Sequence, residues 1–211
     1  DADETPTAAT TAAASPTAGT PAPAGTQEPL LTPGPDDWPE MNPNINDTVP
    51  FEEALTFGEP AWKAPLAPIE TDGSFELSLP SSWLPNQAEG QTFLSYGYRD
   101  PELNRLFAGL TAECVQGVTF EELLVADRDY IFGVQIADRV FAPRPAEIGG
   151  RLWQEVRWSG GLTGLISDNN TFYFQAPDCI WRFQFGTYHG LRIKDYREEV
   201  EAILASFETA P

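Results

Sequence analysis

The chain has 211 residues, with 12 Lys and Arg against 32 Asp and Glu, so its formal net charge is −20. Nucleic-acid-binding proteins gain affinity from basic side chains that neutralise phosphates, so this balance argues against that class. No run of about eighteen apolar residues is present, which argues against a membrane-spanning helix. The hydrophobic fraction of 41% suffices for one core, and the length suits one domain with an appendage.

Residues 1–35 have a low-complexity composition, with nine Ala, eight Thr and seven Pro. Such a segment buries too little apolar area to offset the entropy lost on ordering, and its proline steps favour extended, polyproline-like conformations. We therefore expect an extended Thr/Pro/Ala-rich spacer. The alternative is an arm that becomes ordered on a partner.

A Pro-rich stretch follows at residues 36–69 and contains isolated aromatic residues, among them Trp38, Phe51 and Trp62. Isolated aromatic side chains in such a stretch anchor an extended strap to a neighbouring surface. We predict that these three side chains contact a partner protein and that part of the strap lies against the domain. Residues 70–211 are then the folded domain.

The start of the chain is typical of a processed protein, because it begins at Asp1 and shows no apolar signal-peptide core. Spacers of this composition often follow a lipid-modified Cys in bacteria, so a lipid anchor upstream of Asp1 is a hypothesis. We expect an extracytoplasmic protein that is secreted, periplasmic or at the cell surface.

Two cysteines, Cys114 and Cys179, lie 65 residues apart. Their spacing lacks the CxxC pattern of redox and zinc sites and no cluster of histidines accompanies them, so we predict no metal site and no cofactor. In an oxidising compartment a disulfide between them would close a long loop and contribute roughly 4 kcal/mol. The alternative is two unpaired cysteines that act as small, buried apolar residues.

The domain sequence predicts mainly β-strands. Alternation of apolar and polar residues, aromatic enrichment and bounding Pro or Gly residues mark the strands. They are expected at 75–79, 91–98, within 106–116, within 131–141, at Leu152–Trp158, and in a hairpin of Phe172–Gln175 and Ile180–Phe185 with Pro177 and Asp178 at its turn.

Two helices are predicted among these strands. Thr119 begins the first, because Thr119 and Glu122 have capping-box spacing. The second runs from Asp195, its expected N-cap, to Phe207. Its apolar residues share one helical stripe, formed by Tyr196, Val200, Ile203, Leu204 and Phe207. The sequence therefore predicts an α+β fold in which helices cover an antiparallel sheet.

Two packing motifs stand at the ends of the domain. A strand leads into a Pro-x-x-Trp turn between Phe75 and Trp83, and the last helix ends in Ile203-Leu-Ala-Ser-Phe207. With these motifs, the chain resembles PsbP-like domains over roughly residues 70–208. The resemblance implies an α/β/α sandwich and a noncatalytic accessory or binding role outside the cytoplasm, as in the extrinsic subunits on the lumenal side of photosystem II. No functional residue of that family is carried over.

Motifs for catalysis or metal binding are few. His189 is the only histidine and would be the base of a Ser-His-Asp hydrolase, with Asp195 or Asp178 as the orienting residue. However, no Gly-x-Ser-x-Gly elbow is present and Ser159 is expected in a turn. Asp168-Asn169-Asn170 offers oxygen ligands for calcium, although we expect a tight turn there.

Trp153 and Trp181 lie in strands whose opposite faces also carry apolar residues, such as Trp158 and Ile180. We expect both faces of the sheet to be covered, which makes these aromatics an ordinary core. The alternative is an exposed aromatic face that binds a protein or sugar rings.

These observations together predict a noncatalytic, extracytoplasmic accessory or structural subunit. It would bind other proteins, or further copies of itself, in a surface or membrane-associated assembly. A glycan-binding module with exposed aromatics is the alternative, and a hydrolase centred on His189 is a more distant one.

Overall fold

An antiparallel sheet of eight strands occupies the centre of the molecule. The computed structural model describes residues 51–86, 91–133, 137–160 and 167–209. The helices are α1 (Phe51–Trp62), α2 (Phe120–Gly133) and α3 (Arg197–Ala205), with a 3-10 turn at Ile193–Tyr196. The strands are β1 (Leu66–Pro68), β2 (Phe75–Glu76), β3 (Ser78–Pro80), β4 (Leu84–Pro85), β5 (Leu94–Asp100), β6 (Arg105–Val115), β7 (Ala137–Val140), β8 (Arg144–Ile148), β9 (Arg151–Gly160), β10 (Ser167–Gln175), β11 (Ile180–Tyr188) and β12 (Glu208–Thr209).

The strand order in the main sheet is β4-β5-β6-β11-β10-β9-β7, and β8 also pairs with β9. Two small ribbons, β1 with β3 and β2 with β12, bring the first and last segments of the domain onto it. Every described strand pair is antiparallel. The predicted α+β class is confirmed. The predicted strand at 75–79 is divided between β2 and β3, and β10 begins five residues before the predicted Phe172.

Both faces of the sheet carry apolar side chains. Alternate residues of a strand point to opposite sides, so one strand can supply both faces. On β11, Trp181 and Phe183 belong to a core cluster that contains α3, whereas Ile180 belongs to a second cluster under α2. Trp153 and Trp158 of β9 divide in the same way. We call these sides the α3 face and the α2 face; the prediction that both are covered is confirmed.

Helix α1 packs against β5 and β6. The ring of Trp62 stacks on Tyr196 and meets Trp83 edge-on, at centroid distances of 5.6 and 5.1 Å. The indole N–H of Trp83 donates to the carbonyl of Ala61. The sequence predicts an extended strap here, whereas residues 51–62 are helical, because Ala61 and Trp62 are buried in the core of the domain.

Helix α2 begins with the predicted capping box. The backbone N–H and hydroxyl of Thr119 donate to Oε2 of Glu122 at 2.8 and 2.9 Å, and the N–H of Glu122 donates back at 3.2 Å. The helix continues to Gly133, so the predicted strand within 131–141 is confined to β7. The helix extends this far because Ile131 still packs in the core of the α2 face.

All five residues of the predicted stripe are buried, although Tyr196 and Phe207 lie just outside the bounds of α3. The predicted N-cap at Asp195 is wrong, because the helix begins after Tyr196, which makes no side-chain cap. Asp195 lies in the preceding 3-10 turn, where Nε of Arg192 donates to its carboxylate at 3.2 Å.

The two packing motifs meet in the folded chain. The hydroxyl of Ser206 accepts the backbone N–H of Ser78 at 3.0 Å, which joins the end of α3 to β3. Phe207 inserts its ring among five other aromatic rings on the α3 face, at centroid distances of 4.9 to 6.2 Å. These rings belong to Phe75, Trp153, Phe174, Trp181 and Phe183.

The predicted turn at Asp168-Asn169-Asn170 is wrong. These residues are consecutive in β10, between β9 and β11, and each is at most 3% exposed. Ser159 is likewise within β9, opposite Asp168, and not in a turn. A strand paired on both sides satisfies its backbone hydrogen bonds whatever its side chains are, so the polar tract does not end it.

Gly58 of α1 is required by the close approach of Tyr196. A Cβ atom at Gly58 would lie 1.8 Å from Oη and 2.8 Å from Cζ of Tyr196. We predict that Gly58→Ala destabilises the domain by about 1–3 kcal/mol, although alanine has the higher helix propensity. Urea unfolding measures this free energy.

Gly133→Ala is the matched control, because a Cβ atom at this helical glycine meets nothing within 4 Å. It should leave the free energy of unfolding unchanged or slightly higher. Equal effects of the two substitutions would contradict the packing of α1 on Tyr196.

Candidate functional site

A small groove with a cavity volume of about 10 Å³, enough for one water molecule, lies between α2 and the sheet. It is far smaller than a small-molecule pocket, which typically has roughly 300–1,000 Å³. At the C-terminal end of α2, Tyr130 and Phe132 are 47% and 49% exposed and flank Ile131, which lines the groove. The complete lining is Leu124, Asp127, Arg128, Ile131, Val140, Pro143, Val156 and Tyr173. We call this the α2 groove.

Asp127 is the polar centre of the α2 groove. The hydroxyl of Tyr173 donates to its Oδ2 at 2.7 Å, and the guanidinium of Arg182 donates to its Oδ1. Arg182 also pairs with Glu113. Two carboxylates therefore share one guanidinium, and strands β6, β10 and β11 together hold a side chain of α2.

Burial controls the protonation of this network. Desolvation raises the pKa of Asp127, although the charge of Arg182 and the hydrogen bond from Tyr173 lower it. Desolvation and the nearby Asp127 carboxylate hold the pKa of Tyr173 well above its ordinary value. Tyr173 is therefore a stable hydrogen-bond donor at neutral pH.

A second charge network lies on the α3 face, around a Glu155 side chain with no exposed surface. Its Oε1 accepts hydrogen bonds from Asn170 at 2.7 Å and from Arg197 at 2.5 Å, and its Oε2 accepts one from Arg144 at 3.0 Å. Arg197 also donates to Glu201 at 2.5 Å. These bonds fix the start of α3 to the sheet and engage both carboxylate oxygens of Glu155.

Asp168 is a third buried carboxyl group, on β10. Neither of its oxygens has a hydrogen-bond partner among the described residues, and its side-chain neighbours across the strands are Ser159 and Thr187. Burial raises the pKa of Asp168 to about 7, although the charge of Arg192 lowers it. Across the described part of the chain, no three His, Cys, Asp or Glu side chains are grouped to hold a metal ion.

The residues of the predicted hydrolase do not form a triad. His189 follows β11 with a φ of 56° and is 6% exposed, and its ring lies 5.1 Å from that of Phe107. Ser159 Oγ has no hydrogen bond within the described ranges, so His189 does not activate it. Asp195, a predicted orienting residue, pairs with Arg192 instead.

The three residues predicted to contact a partner protein, Trp38, Phe51 and Trp62, have three different outcomes. Trp62 is 1% exposed, so its side chain belongs to this chain's own core and offers no surface to a partner. Phe51 is the first residue of α1, but its side chain lies outside the described part. Trp38 lies outside the described residues altogether.

The glycan-binding alternative depends on exposed aromatic residues. Every tryptophan in the described part of the chain is at most 6% exposed, so none of them offers a stacking platform for a sugar ring. These residues are Trp62, Trp83, Trp153, Trp158 and Trp181. The prediction that Trp153 and Trp181 belong to an ordinary core is confirmed.

Cys114 of β6 and Cys179, just before β11, form a disulfide with their Cα atoms 5.6 Å apart. Strands β6 and β11 are neighbours, with Trp181 opposite Cys114, so the sheet itself brings the cysteines together. The predicted disulfide is confirmed.

Sequence reasoning alone does not single out Asp127, although a signal is present. Asp127 lies three residues after Leu124 and four before Ile131, on the apolar stripe of α2. A charged residue on such a stripe indicates a buried partner. That partner, Arg182, comes from a strand 55 residues later and is not predictable from local spacing.

No protein-family model and no curated protein matches the sequence. Among solved structures, a protein from Bacteroides thetaiotaomicron is 14% identical with a TM-score of 0.47, over 68% of this chain and 48% of that one, so this chain spans about half of its length. Cyanobacterial PsbP from Synechocystis is 13% identical with a TM-score of 0.46, over 69% and 93% of the two chains. The Ran-binding protein Mog1p from Saccharomyces cerevisiae is 9% identical with a TM-score of 0.49, over 70% and 96%.

PsbP is thus among the structures similar to this chain, in agreement with the resemblance that the sequence motifs predict. At these identities the likeness concerns the fold alone.

None of the helices within the described ranges is long and apolar enough to cross a bilayer.

The buried carboxyl group of Asp168 predicts a pH-dependent stability. Because its pKa is about 7 in the folded chain and near 3.8 when unperturbed, the folded state binds the proton more tightly, and stability falls as pH rises from about 4 to 7. Asp168→Asn removes this loss. The free energy of unfolding of the variant minus that of the parent chain should therefore be about 2 kcal/mol larger at pH 8 than at pH 5.

Asp178→Asn is the control, because it removes the same charge from an exposed turn. It should change the free energy of unfolding equally at both pH values. A difference between parent and Asp168→Asn that is the same at pH 5 and pH 8 would show that Asp168 does not titrate in this range.

Proposed function

We propose that this chain is a noncatalytic accessory subunit outside the cytoplasm, which binds other proteins in a surface or membrane-associated assembly. The observation that carries the proposal is the surface of α2, where the large aromatic side chains of Tyr130 and Phe132 are about half exposed. Exposed aromatic side chains are enriched in protein interfaces, where they contribute a large share of the binding energy.

The noncatalytic part of the proposal is supported by the fate of the buried charges. Glu155 is bound by two arginines and an amide, and Asp127 is bound by a tyrosine and an arginine. Carboxyl groups held in this way fix helices to the sheet. A catalytic acid or base instead needs access to a substrate proton.

The extracytoplasmic part is supported by the disulfide between Cys114 and Cys179. Disulfides persist in oxidising compartments and are rare in the cytosol, where thiols are kept reduced. We also propose that residues 1–35, Trp38 and Phe51 contact the partner protein. The chain would in addition associate with further copies of itself and carry a lipid anchor upstream of Asp1.

The proposal is tested by photo-crosslinking from α2. A photoreactive phenylalanine analogue replaces Phe132 in the full chain, which is then irradiated with the cytosolic and the membrane-and-surface fractions of the source cells. We expect one or a few discrete protein adducts, found in the membrane-and-surface fraction only.

The control carries the same analogue at Leu84, which is 65% exposed on β4, at the opposite end of the strand order from β7. Adducts from Phe132 that also form from Leu84 would be nonspecific. Absence of adducts in the membrane-and-surface fraction, or discrete adducts in the cytosolic fraction, would contradict the proposal.

A further inference from the structure

Asp168 is a fully buried carboxyl group that makes no side-chain hydrogen bond to the described part of the chain. It lies on the same side of β10 as Phe172, which belongs to the core of the α3 face. Its neighbours across the strands are the uncharged residues Ser159 and Thr187. These surroundings suit a neutral carboxyl group, because an ionised one at this place would be buried without a counter-charge.

Residues 189–196 join β11 to α3 and lie against β10 and β11. We call them the linking segment. Burial raises the pKa of Asp168 to about 7, and the next largest electrostatic effects come from this segment. Arg192 and Lys194 lower the pKa of Asp168, as does the backbone N–H of Ile193, whereas Asp195 raises it. The proton on Asp168 is therefore coupled to the charges of the linking segment.

Arg192 has two carboxyl groups within its electrostatic reach. Its Nε donates to Asp195 at 3.2 Å, and both of these side chains are partly exposed. It also exerts the largest attractive charge effect on Asp168. An exposed ion pair contributes little free energy, whereas a buried carboxylate attracts a cation more strongly because its surroundings are less polar. Ionisation of Asp168 therefore favours a change of partner.

We propose that Asp168 is a proton-operated switch of the linking segment. With the proton on Asp168, Arg192 pairs with Asp195, as in the structure. Loss of the proton draws Arg192 from Asp195 to Asp168, which gives the buried carboxylate its counter-charge. Asp195 is then an acidic group without this partner at the surface, so the start of α3 presents a more negative surface above neutral pH.

Both ends of the linking segment are held by bonds that do not involve the Asp168 side chain. The hydroxyl of Thr187 donates to the carbonyl of Leu191 at 3.0 Å, and Arg197 donates to Glu155 at 2.5 Å. The change is therefore confined to residues 192–196 and does not require unfolding of the domain. The switch acts whichever partner the chain binds.

The test is an NMR titration of the full chain, labelled with ¹³C and ¹⁵N, from pH 5 to pH 9. The carboxyl carbon of Asp168 reports its protonation, and Nε of Arg192 and the amide of Asp195 report the pairing. We expect all three signals to change with one midpoint near pH 7. The amide of the buried Leu110 in β6 should stay constant, because the domain remains folded.

Two variants should move the midpoint in opposite directions. Arg192→Gln removes the attracting cation, so the midpoint of Asp168 should rise by about 0.5 pH units or more. Asp195→Asn removes the competing carboxylate, so the midpoint should fall by a similar amount. Arg128→Gln is the matched control, because it breaks the exposed pair of Arg128 with Asp129 on α2 and should leave the midpoint unchanged.

His189 must be separated from Asp168, because histidines ordinarily titrate near neutral pH and His189 begins the linking segment. Asp168→Asn should abolish the response of Arg192. His189→Asn should retain it, and asparagine tolerates the φ of 56° at this position.

A response of Arg192 that persists in Asp168→Asn, or one that disappears in His189→Asn, would overturn the inference. So would Arg192 signals that do not follow the midpoint of Asp168, or equal midpoints in Arg192→Gln and Arg128→Gln. If Asp168→Asn fails to fold, the opposite shifts of Arg192→Gln and Asp195→Asn decide.

Discussion

The central sheet carries large apolar side chains on both faces, and this constraint determines where the other elements lie. Trp181 and Phe183 of β11 require a cover on one side, and Ile180 requires one on the other. On the α3 face, α1, α3 and the two small ribbons supply this cover. The end of α3 is tied to β3 through Ser206, and Phe207 fills the space between the surrounding rings.

Within the described part of the chain, one helix covers the α2 face, and a partly buried charge network attaches that helix to the sheet. Burying carboxylates is costly unless each is paired, and here Asp127 and Glu113 depend on the same arginine. The network therefore positions α2 on the sheet.

Sequence patterns predict those helices and strands that are determined by residues close together in the chain. The stripe of α3, the capping box at Thr119 and the β10–β11 hairpin are recognisable because their determinants lie within a few residues of one another. Asp168-Asn169-Asn170 has turn-like composition, but it forms a central strand because β9 and β11 pair with it from both sides. Long-range partners such as Arg182 for Asp127 meet only when the sheet assembles. Local sequence spacing therefore cannot predict the candidate site.

Arg182 is the side chain that holds α2 to the sheet. Hydrogen–deuterium exchange of Arg182→Met against the parent chain tests this claim. Arg182 and Glu113 are partly buried, so removal of the guanidinium costs less than the roughly 3–5 kcal/mol of a fully buried pair. The Asp127 carboxylate would then regain solvation most readily if α2 separated from the sheet. We predict that the amides of α2 lose protection while those of α3 keep theirs. Unchanged protection of α2, or an equal loss in both helices, would contradict the claim.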